Sequence, residues 1–267
     1  MRTSSRGADP MSSNKPIVLF DLGQTLVDLR PLVAELARVV ATEYPSMSAL
    51  ADRIAVTWIV ASHEEMPRRP GAPFASEFAV ASAVLGRLLR DRGPSIDTEG
   101  AGRLLRRAWD AWEHVVTLCP GVTPGWLAQV RQRTAGMGIV TDGDDENVSR
   151  LVRKLRLGPY FDTVVTSESV RLYKPNPAIY QVALERLHAE ARRGLFVSDT
   201  PLDLEGAHAA GMAPALLARR GWPSEVPRPP GAIALSTPDE LLPVLDGFRR
   251  SGRFEETHGI IGSSSPA

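Results

Sequence analysis

The amino-acid sequence predicts an α/β protein built on a doubly wound parallel sheet, with an all-helical domain inserted near its start. Short apolar runs, each followed by polar loop residues, recur along the chain and alternate with helical patterns. Alternation of this kind is typical of a parallel sheet that has helices on both faces. A long stretch between the first and second runs carries repeated helical patterns without strand alternation, and this stretch is the predicted insertion.

The strands and core helices are predicted in order along the chain. The first strand is the apolar run of residues 17–20, which suits a buried parallel strand and stops abruptly at Asp21. The later strands are predicted at residues 137–140, 163–166, 195–198 and 213–217. The core helices between them are predicted at residues 146–155, 177–188 and 202–210, with Gly211 at a natural helix stop.

The insertion carries helical patterns at residues 31–43, 49–63, 74–90 and 100–116. Pro-Gly pairs at residues 70–71 and 120–121 break this helical block and close it. We therefore expect a core domain formed by residues 15–30 and 117–250 and a helical cap domain formed by residues 31–116. The two ends, residues 1–14 and 251–267, lack the apolar periodicity that orders a segment, and we expect both to be flexible.

The composition favours a globular protein that acts on a small molecule. Of the 267 residues, 43% are hydrophobic, which is enough to bury a sizeable core. The 31 Lys and Arg residues balance the 31 Asp and Glu residues, so no global field favours nucleic acid or an anionic membrane as a partner. No run of about 18 apolar residues predicts a membrane span. The chain has a single cysteine, Cys119, and shows no signal-peptide pattern. Both observations favour the reducing cytoplasm as its location.

Reactive side chains follow the predicted strands, at the edge where an open parallel sheet binds ligands. Asp21 follows the first strand, Thr141 ends the second, and Lys174 lies in the loop after the third. Asp199 follows the fourth strand, with Asp203 shortly after it. These side chains are the set that a phosphate site needs. One carboxylate can attack phosphorus, the other carboxylates can hold a hard cation, and the hydroxyl and the ammonium can bind the phosphoryl oxygens. Crowded carboxylates repel one another, so the cluster predicts a divalent cation, with Mg²⁺ the first choice.

Four segments resemble the motifs of the haloacid-dehalogenase-like hydrolases in both order and spacing. They are FDLGQTLVD at residues 20–28, GIVT at 138–141, KPNPAIY at 174–180 and VSDTPLD at 197–203. The pattern GAHAAGM at 206–212 is also similar to the helix that follows the fourth motif, so the resemblance spans residues 16–218. It implies a Rossmann-like core, and the insertion is similar in position to a helical cap that closes over the substrate.

The resemblance also implies a role for each motif residue. Asp21 is implied as the nucleophile that forms an aspartyl-phosphate, and Thr141 and Lys174 are implied to hold the transferring phosphoryl group. The implied Mg²⁺ ligands are Asp21, the Gly23 carbonyl, Asp199 and Asp203. Asp142 stands where family members more often carry Asn or Ser, and it is a candidate for substrate contact. The chain is thus predicted to be a Mg²⁺-dependent phosphatase acting on a small phosphorylated metabolite.

One position departs from the family pattern. Family phosphatases usually carry a second aspartate two residues after the nucleophile, where it protonates the leaving group and then activates water, but this chain has Gly23. General acid-base help is worth roughly 10²–10⁴-fold in rate. A phosphatase with Gly23 needs a substitute acid or a leaving group that departs without protonation, as in acyl phosphates and sugar 1-phosphates. The substitutes considered are Asp28, Asp142, His63 and Glu64.

Gly23 leaves three other interpretations. In one, the protein is a phosphate-binding or auxiliary protein without efficient turnover. In another, it is a 2-haloacid dehalogenase, since dehalogenases of this family also lack the second aspartate; they need no Mg²⁺, however, and the retained Asp199 and Asp203 favour a metal. The last, phosphonate cleavage, recruits a cap lysine and is excluded because none of the three lysines, Lys15, Lys154 and Lys174, lies in the insertion.

Large aromatic residues and the cysteine have simpler interpretations. Trp58, Trp109 and Trp112 fall in helical patterns of the cap, where aromatic side chains usually pack between helices. Cys119 has no evident base partner in the sequence. We therefore predict that all four are packing residues.

Two groups of charged residues are also predicted to be structural. The acidic run of residues 142–146 precedes a helix, so it is predicted to supply capping charge to the positive end of the helix dipole. Arg53, Arg68 and Arg69 of the cap are predicted to be surface charge in an arginine-rich chain, with contact to an anionic substrate as the alternative.

Overall fold

A computed structural model of the chain describes residues 14–218 and 227–254. Most of the two ends predicted to be flexible, residues 1–13 and 255–267, lies outside the described residues. Asn14 is described, and its side-chain amide donates to the carbonyl oxygens of Phe248 at 3.4 Å and Arg249 at 3.2 Å. These bonds tie the start of the described chain to its last helix.

A six-stranded sheet forms the centre of the described chain. Its strands are β1 (Ile17–Phe20), β2 (Gly136–Thr141), β3 (Thr163–Thr166), β4 (Gly194–Ser198), β5 (Ala213–Leu217) and β6 (Ile233–Leu235). The order across the sheet is β3-β2-β1-β4-β5-β6, and every neighbouring pair is parallel. The predicted doubly wound parallel α/β fold is therefore confirmed, and β6 is an addition to the predicted strands.

β1 lies in the interior of the sheet, and its pairing sets the register of β2 and β4 on either side. Phe20, its last residue, is opposite Ile139 of β2 and Val197 of β4. The strand is buried on both sides, with Val18 and Phe20 in one apolar cluster and Leu19 in another. Side chains alternate across a strand, so these two clusters fill the two faces of the sheet. The loops that follow β1, β2 and β4 consequently start close to one another at the carboxyl edge of the sheet.

Helices fill the insertion and cover both faces of the sheet. Those of the insertion are α1 (Arg30–Glu43), α2 (Ala51–Glu64), α3 (Glu77–Arg90) and α4 (Thr98–Val115). Those of the core are α5 (Pro124–Arg133), α6 (Asp145–Lys154), α7 (Ser167–Val170), α8 (Pro177–Arg186), α9 (Pro201–Ala209) and α10 (Leu241–Ser251). The helical content predicted for the insertion is confirmed, and its treatment as a separate cap domain stays a prediction. Within residues 14–218 and 227–254, no helix combines the length and apolar character needed to cross a membrane.

Local sequence explains where two helices of the insertion begin. α3 begins later than predicted, at Glu77, because the Ser76 hydroxyl accepts the Ala79 N–H at 3.2 Å and caps the first turn. α2 begins at Ala51, after a 3₁₀ turn over Pro45–Leu50 whose apolar spacing resembles that of an α-helix. The start of α3 matters for the site, because it puts Glu77 on the first turn.

Candidate active site

The residues that follow β1, β2 and β4 meet at the carboxyl edge of the sheet. Asp21 follows β1, Thr141 ends β2 and Asp199 follows β4. The chain runs to one side of β1 through β2 and β3 and to the other side through β4, β5 and β6, so strand order reverses beside β1. Open α/β sheets bind ligands in the crevice at such a point. All three side chains line one cavity there.

Lys174 joins two of the predicted carboxylates. Its Nζ lies 2.6 Å from Oδ1 of Asp21 and 2.7 Å from Oδ2 of Asp203. The Ser198 hydroxyl donates to the same Asp203 oxygen at 2.8 Å. The Lys174 side chain is only 3% exposed, and that of Asp203, on the first turn of α9, is almost as hidden. The structure thus brings three predicted site residues into one buried ion cluster.

The ion cluster keeps its lysine charged. Burial alone lowers the pKa of Lys174, but the carboxylates of Asp203, Asp21 and Asp142 outweigh burial and hold that pKa above the usual value for lysine. Burial raises the pKa of Asp21 to about 6, against the lowering effect of Lys174. At pH 7 Lys174 is therefore cationic and Asp21 is mainly ionised, as a carboxylate nucleophile requires.

Thr25 bridges the ends of β1 and β4. Its hydroxyl lies 3.3 Å from Oδ2 of Asp21 and 3.2 Å from Oδ1 of Asp199, and it accepts the Asp199 N–H at 3.1 Å. A single hydroxyl proton thus lies between two carboxylates. Burial raises the pKa of Asp199 to about 7, and the charges of Asp21 and Asp203 add to that rise. The site holds more negative charge than Lys174 balances.

The oxygen atoms near Thr25 fit a hard divalent cation by their chemistry. Asp21 and Asp199 supply carboxylates, and the Gly23 carbonyl, which accepts the Thr25 N–H at 2.6 Å, supplies a further oxygen. Asp203, also predicted as a ligand, is held by the ion cluster. In the described ranges, no three His, Cys, Asp or Glu side chains gather closely enough to form a metal site by themselves. The donor set is therefore two carboxylates and a backbone carbonyl, which suits Mg²⁺ because this ion keeps several waters.

Asp142, predicted to contact substrate, is bonded through both of its oxygens. Oδ1 accepts the Lys174 N–H at 2.9 Å, and Oδ2 accepts an N–H of the Arg68 guanidinium at 3.0 Å. Burial raises the pKa of Asp142, while Lys174 and Arg68 lower it. These contacts position the lysine loop against the cap, and a contact between Asp142 and substrate stays a prediction.

Arg68 reaches from the cap to the core, so the prediction that it is surface charge is wrong. Its side chain is 13% exposed, and besides its ion pair with Asp142 it donates through Nε to the Lys174 carbonyl at 2.9 Å. A buried carboxylate and a carbonyl that both need donors explain why this arginine turns inward. The other two arginines considered, Arg53 and Arg69, are exposed as predicted.

Thr141 and Cys119 lie where the sequence predicts. Thr141 is buried at the end of β2 and lines the cavity together with Asp21, which gives its hydroxyl access to a ligand. Cys119 is buried in the apolar core and does not line the cavity. The structure therefore leaves the cysteine its packing role.

Gly23 lines the cavity beside Asp21 and brings no side chain to it. A Cβ at this position would meet the Cδ1 atom of Leu29 at 3.0 Å, which is the far end of a flexible side chain. The backbone of Gly23 also lies outside the left-handed region. A larger residue here needs only a small shift of Leu29, so the turn itself does not demand glycine.

The substitute acids predicted from the sequence differ in position. Asp28 is buried but pairs with Arg30, whose Nε donates to Oδ1 at 2.9 Å, and it does not line the cavity. His63 and Glu64 line the cavity from the end of α2. Partial burial of the ring and the charge of Arg68 lower the pKa of His63, so its imidazole is neutral at pH 7. A neutral imidazole is a poor proton donor to a leaving alkoxide.

The cavity has a volume of about 430 Å³ and two unlike walls. The strand-end residues form the core wall, and the cap wall is largely apolar. Trp58, Trp109 and Trp112 pack between the cap helices, as predicted, and also line the cavity. The indole of Trp58 donates to the Ala81 carbonyl at 3.0 Å. The indole N–H groups of Trp109 and Trp112, and the Ser62 hydroxyl, are buried without a hydrogen-bond partner in the described structure.

Glu77 lines the cavity from the cap, although no sequence prediction names it. It is the first residue of α3, and a Cβ built on Gly143 would lie 3.5 Å from its Oε2. The side chain is half-buried, and its carboxyl makes no hydrogen bond or ion pair with the described residues. Burial, and then the charges of Asp144, Asp142 and Asp21, raise the pKa of Glu77 to about 8. This carboxyl is therefore mostly protonated at pH 7.

Asp144 connects the two walls. Its carboxylate accepts the N–H of Glu77 at 2.8 Å and that of Phe78 at 2.9 Å, so a core residue caps the first turn of the cap helix α3. Asp144 also stands at the N-cap position of α6, but its side chain makes no capping bond there. The predicted capping charge of α6 thus comes from Asp145 and Glu146, and the carboxylate of the N-cap residue serves another helix.

Known proteins share both the sequence pattern and the fold. A family model described as haloacid dehalogenase-like hydrolase matches residues 16–211. Phosphoglycolate phosphatase from Shigella boydii is 28% identical over 240 residues, which are 85% of this chain and 91% of that enzyme. (S)-2-haloacid dehalogenase 4A from Burkholderia cepacia is 30% identical over 109 residues, and the match spans 41% of this chain and 47% of that enzyme.

The fold of this chain is also similar to that of a solved structure. L-2-haloacid dehalogenase from Xanthobacter autotrophicus superposes with a TM-score of 0.69 at 22% identity, over 87% of this chain and 99% of that one. The family model in turn covers most of the chain, including every motif on which the resemblance rests. The resemblance is confirmed, and the protein belongs to the haloacid dehalogenase-like hydrolases.

Proposed function

We propose that this protein is a Mg²⁺-dependent phosphatase that transfers a phosphoryl group from a small phosphorylated metabolite to Asp21 and then to water. The observation that carries the proposal is the buried ammonium of Lys174, which touches Asp21 at 2.6 Å and is fixed by Asp203 at 2.7 Å. A fixed ammonium beside a carboxylate nucleophile stabilises the negative charge of a transferring phosphoryl group. The similarity to phosphoglycolate phosphatase over 85% of the chain supports the same class of reaction.

The proposed reaction consists of two displacements at phosphorus. In the first, a carboxylate oxygen of Asp21 attacks phosphorus, and the bond to the leaving oxygen breaks with its electron pair going to that oxygen, which then takes a proton. In the second, water attacks the aspartyl-phosphate, loses a proton, and releases inorganic phosphate and the Asp21 carboxylate. Thr141 donates its hydroxyl to one phosphoryl oxygen, while Lys174 neutralises charge on another.

Mg²⁺ is part of the proposal because the site holds more negative charge than Lys174 balances. Asp21, Asp199 and the Gly23 carbonyl are the groups that would hold the ion. When bound, it neutralises charge on the phosphoryl oxygens and orients them. Asp203 is also a predicted ligand, and its contact with Lys174 gives it a second role, that of fixing the lysine.

The shape of the cavity supports a small-molecule substrate. Its volume of about 430 Å³ lies in the range of about 300–1,000 Å³ that small-molecule sites occupy. The balanced formal charge of the chain gives no attraction to nucleic acid. The phosphoryl end of a metabolite would lie at the core wall and the leaving group at the cap wall.

The test is phosphate release from acetyl phosphate in the presence of Mg²⁺, followed together with the intact mass of the protein. We expect release by the wild type, no release by Asp21→Asn, and no release after Mg²⁺ is removed with EDTA. Thermal unfolding of Asp21→Asn provides the control for folding. A wild type that neither releases phosphate nor gains phosphoryl mass would refute the proposal. A stable phosphoryl adduct without release would indicate a binding or auxiliary protein instead.

A second candidate function, that of a 2-haloacid dehalogenase, is favoured by Gly23 and by the similarity to (S)-2-haloacid dehalogenase 4A. In that reaction the Asp21 carboxylate attacks the carbon that carries the halogen, and the halide leaves with the electron pair. A halide needs no proton, so the missing acid at residue 23 carries no penalty. Chloride release from 2-chloropropionate without Mg²⁺ is the result expected of a dehalogenase, and phosphate release with Mg²⁺ is the result expected of a phosphatase.

A further inference from the structure

We propose that Glu77 of the cap gives the leaving group its proton, in place of the acid that is missing at residue 23. The inference rests on the proposed phosphatase function. Gly23 and Glu77 line the same cavity, the first from the core wall and the second from the cap wall. A proton donor can therefore approach the leaving oxygen from the cap although the core offers none at residue 23.

Glu77 has a fixed position relative to the nucleophile. Its backbone N–H donates to Asp144 at 2.8 Å, which attaches the first turn of α3 to the loop that follows β2. Its Oε2 lies 3.5 Å from the place where a Cβ on Gly143 would stand. That loop begins at Thr141, one of the groups proposed to hold the phosphoryl group. The backbone of Glu77 is thus held against the loop that follows β2, and its carboxyl oxygens remain available to the cavity.

The surroundings of Glu77 favour a neutral carboxyl. The titratable groups that face it are Asp21, Asp142, Asp144 and the hydroxyl of Tyr173. The three carboxylates repel a further negative charge, and burial removes part of the solvation of that charge. Among the described residues, the Glu77 carboxyl has no cationic partner that would stabilise its ionised form. A neutral carboxylic acid that faces a cavity is the form that can donate a proton.

Other acids on the cavity wall are less suited. Glu113 accepts the Nε proton of Arg150 at 2.9 Å, so its carboxyl is already engaged by an arginine. Asp142 is bonded through both oxygens. Glu64 is exposed at the end of α2. Glu77 is the acid whose position and protonation both match the missing function.

The proposed proton transfer accompanies the first displacement at phosphorus. As Asp21 attacks phosphorus and the bond to the leaving oxygen breaks, that oxygen takes the proton of Glu77 and departs as an alcohol. Glu77 is left as a carboxylate. In the second step, water attacks the aspartyl-phosphate and releases its proton to the solvent, and Glu77 regains a proton from the solvent.

The test compares two substrates of similar size whose leaving groups need a proton to different degrees. Benzyl phosphate leaves as an alkoxide, which needs a proton, whereas p-nitrophenyl phosphate leaves as a stabilised phenolate, which does not. With Mg²⁺ present, we expect Glu77→Gln to lower kcat for benzyl phosphate by about 10²-fold and kcat for p-nitrophenyl phosphate by less than about fivefold. For the wild type, kcat for benzyl phosphate should fall as the pH rises through about 8, where Glu77 loses its proton, and Glu77→Gln should lack this fall.

Glu99→Gln is the matched control. Glu99 also lies in the first turn of a cap helix, α4, but it is exposed and pairs with Arg103. Both substitutions replace a carboxyl by an amide of nearly the same size, so the melting temperatures of the two variants should be similar. Glu99→Gln should retain the wild-type kcat for both substrates.

Two results would overturn the inference and leave the proposed function intact. One is an equal loss of kcat for both substrates in Glu77→Gln, which indicates a structural role. The other is an unchanged kcat for benzyl phosphate. A wild type that releases phosphate from acetyl phosphate but not from benzyl phosphate would also overturn the inference alone. A wild type that releases phosphate from none of the three substrates would refute the proposed function, and the inference would fail with it.

Discussion

The two walls of the cavity differ in how their polar groups are bonded. On the core wall, the charged side chains bond to one another or to the cap: Asp21, Asp142, Lys174 and Asp203. On the cap wall, several polar groups have no partner among the described residues: the Ser62 hydroxyl, the indole N–H groups of Trp109 and Trp112, and the Glu77 carboxyl. Buried polar groups are normally hydrogen-bonded, so the polar groups of the cap wall are less fully satisfied than those of the core wall.

The core wall is therefore organised by contacts within the protein, whereas the cap wall is held mainly by apolar packing. Ion pairs fix Lys174 and Asp21 whatever the leaving group is. Under the proposed function, the largely apolar cap wall would face the leaving group, which is the part of the substrate that varies. Rate is therefore expected to depend on the core wall and selectivity on the cap wall.

The largest effect is expected from Lys174→Met, which removes the ammonium shared by Asp21 and Asp203. Removal of one partner of a buried ion pair leaves an uncompensated charge and costs about 3–5 kcal/mol. We expect urea titrations at pH 7 to show a fall of this size in the free energy of unfolding, together with loss of turnover. The cost should shrink at pH 5, because Asp21, whose pKa burial raises to about 6, is then mostly neutral and no longer needs the ammonium.

Lys154→Met is the matched control for that prediction. Lys154 is exposed at the end of α6, so its substitution should change the free energy of unfolding by no more than about 0.5 kcal/mol. Equal stabilities of the two variants would show that the carboxylates of the core wall do not depend on the lysine.

The next largest effect is expected from Gly206→Ala, which tests how closely the core wall is packed. A Cβ on Gly206 of α9 would lie 2.8 Å from both the Cα and the carbonyl carbon of Pro175, the residue after Lys174. Overpacking of this kind costs about 1–3 kcal/mol, and a displaced Lys174 should lower kcat by more than about tenfold. Gly158→Ala, where the new Cβ meets nothing within 4 Å, should leave kcat and melting temperature unchanged. Unchanged kcat in Gly206→Ala would mean that the lysine loop adapts.

A similar or smaller effect is expected from Arg68→Met, which removes the ion pair between Arg68 of the cap wall and Asp142 of the core wall. Asp142 loses one of its two donors, and a buried group that is left partly unbonded costs about 1–3 kcal/mol. Urea titration of Arg68→Met, compared with Arg69→Met at the exposed neighbouring position, measures this cost directly. If the two variants are equally stable, Asp142 does not need the arginine.

The smallest effect is expected from Trp112→Phe on the cap wall. The indole N–H of Trp112 has no bond to lose, whereas Trp58→Phe breaks the bond to the Ala81 carbonyl. Both substitutions remove similar apolar volume, so Trp58→Phe should cost about 1 kcal/mol more than Trp112→Phe in urea titrations. Equal costs would indicate that the Trp112 indole is bonded in solution.

Local patterns were sufficient to predict most of the sheet. The runs at residues 17–20, 163–166 and 213–217 are apolar, short and bounded by polar or turn residues, and the observed β1, β3 and β5 have these bounds. β6 has three residues, too few to show a period. α10 was not predicted because Pro243 and Gly247 lie inside it, and both residues disfavour helix by local propensity.

The strand-end residues could be predicted because parallel topology alone gathers them at one edge. Their partners could not be predicted, because those partners come from parts of the chain far away in sequence. Arg68 and Arg69 are neighbours of one residue type, and only the position of Asp142 in space decides which one turns inward. Glu77 carries a weak local signal, since Ser76 and an acidic residue before an apolar helical pattern mark a helix start. That signal locates the turn without showing that it faces Asp21.

The bonds from Asp144 to the first turn of α3 have a consequence for the timing of the reaction. Any movement that separates the cap from the core breaks both bonds and leaves two N–H groups at the start of α3 without an acceptor. Glu77 belongs to that turn, so the same movement carries its carboxyl away from Asp21. Under the proposed mechanism, the leaving group would be protonated only while cap and core are in contact, and bulk water would enter and product would leave only after they separate.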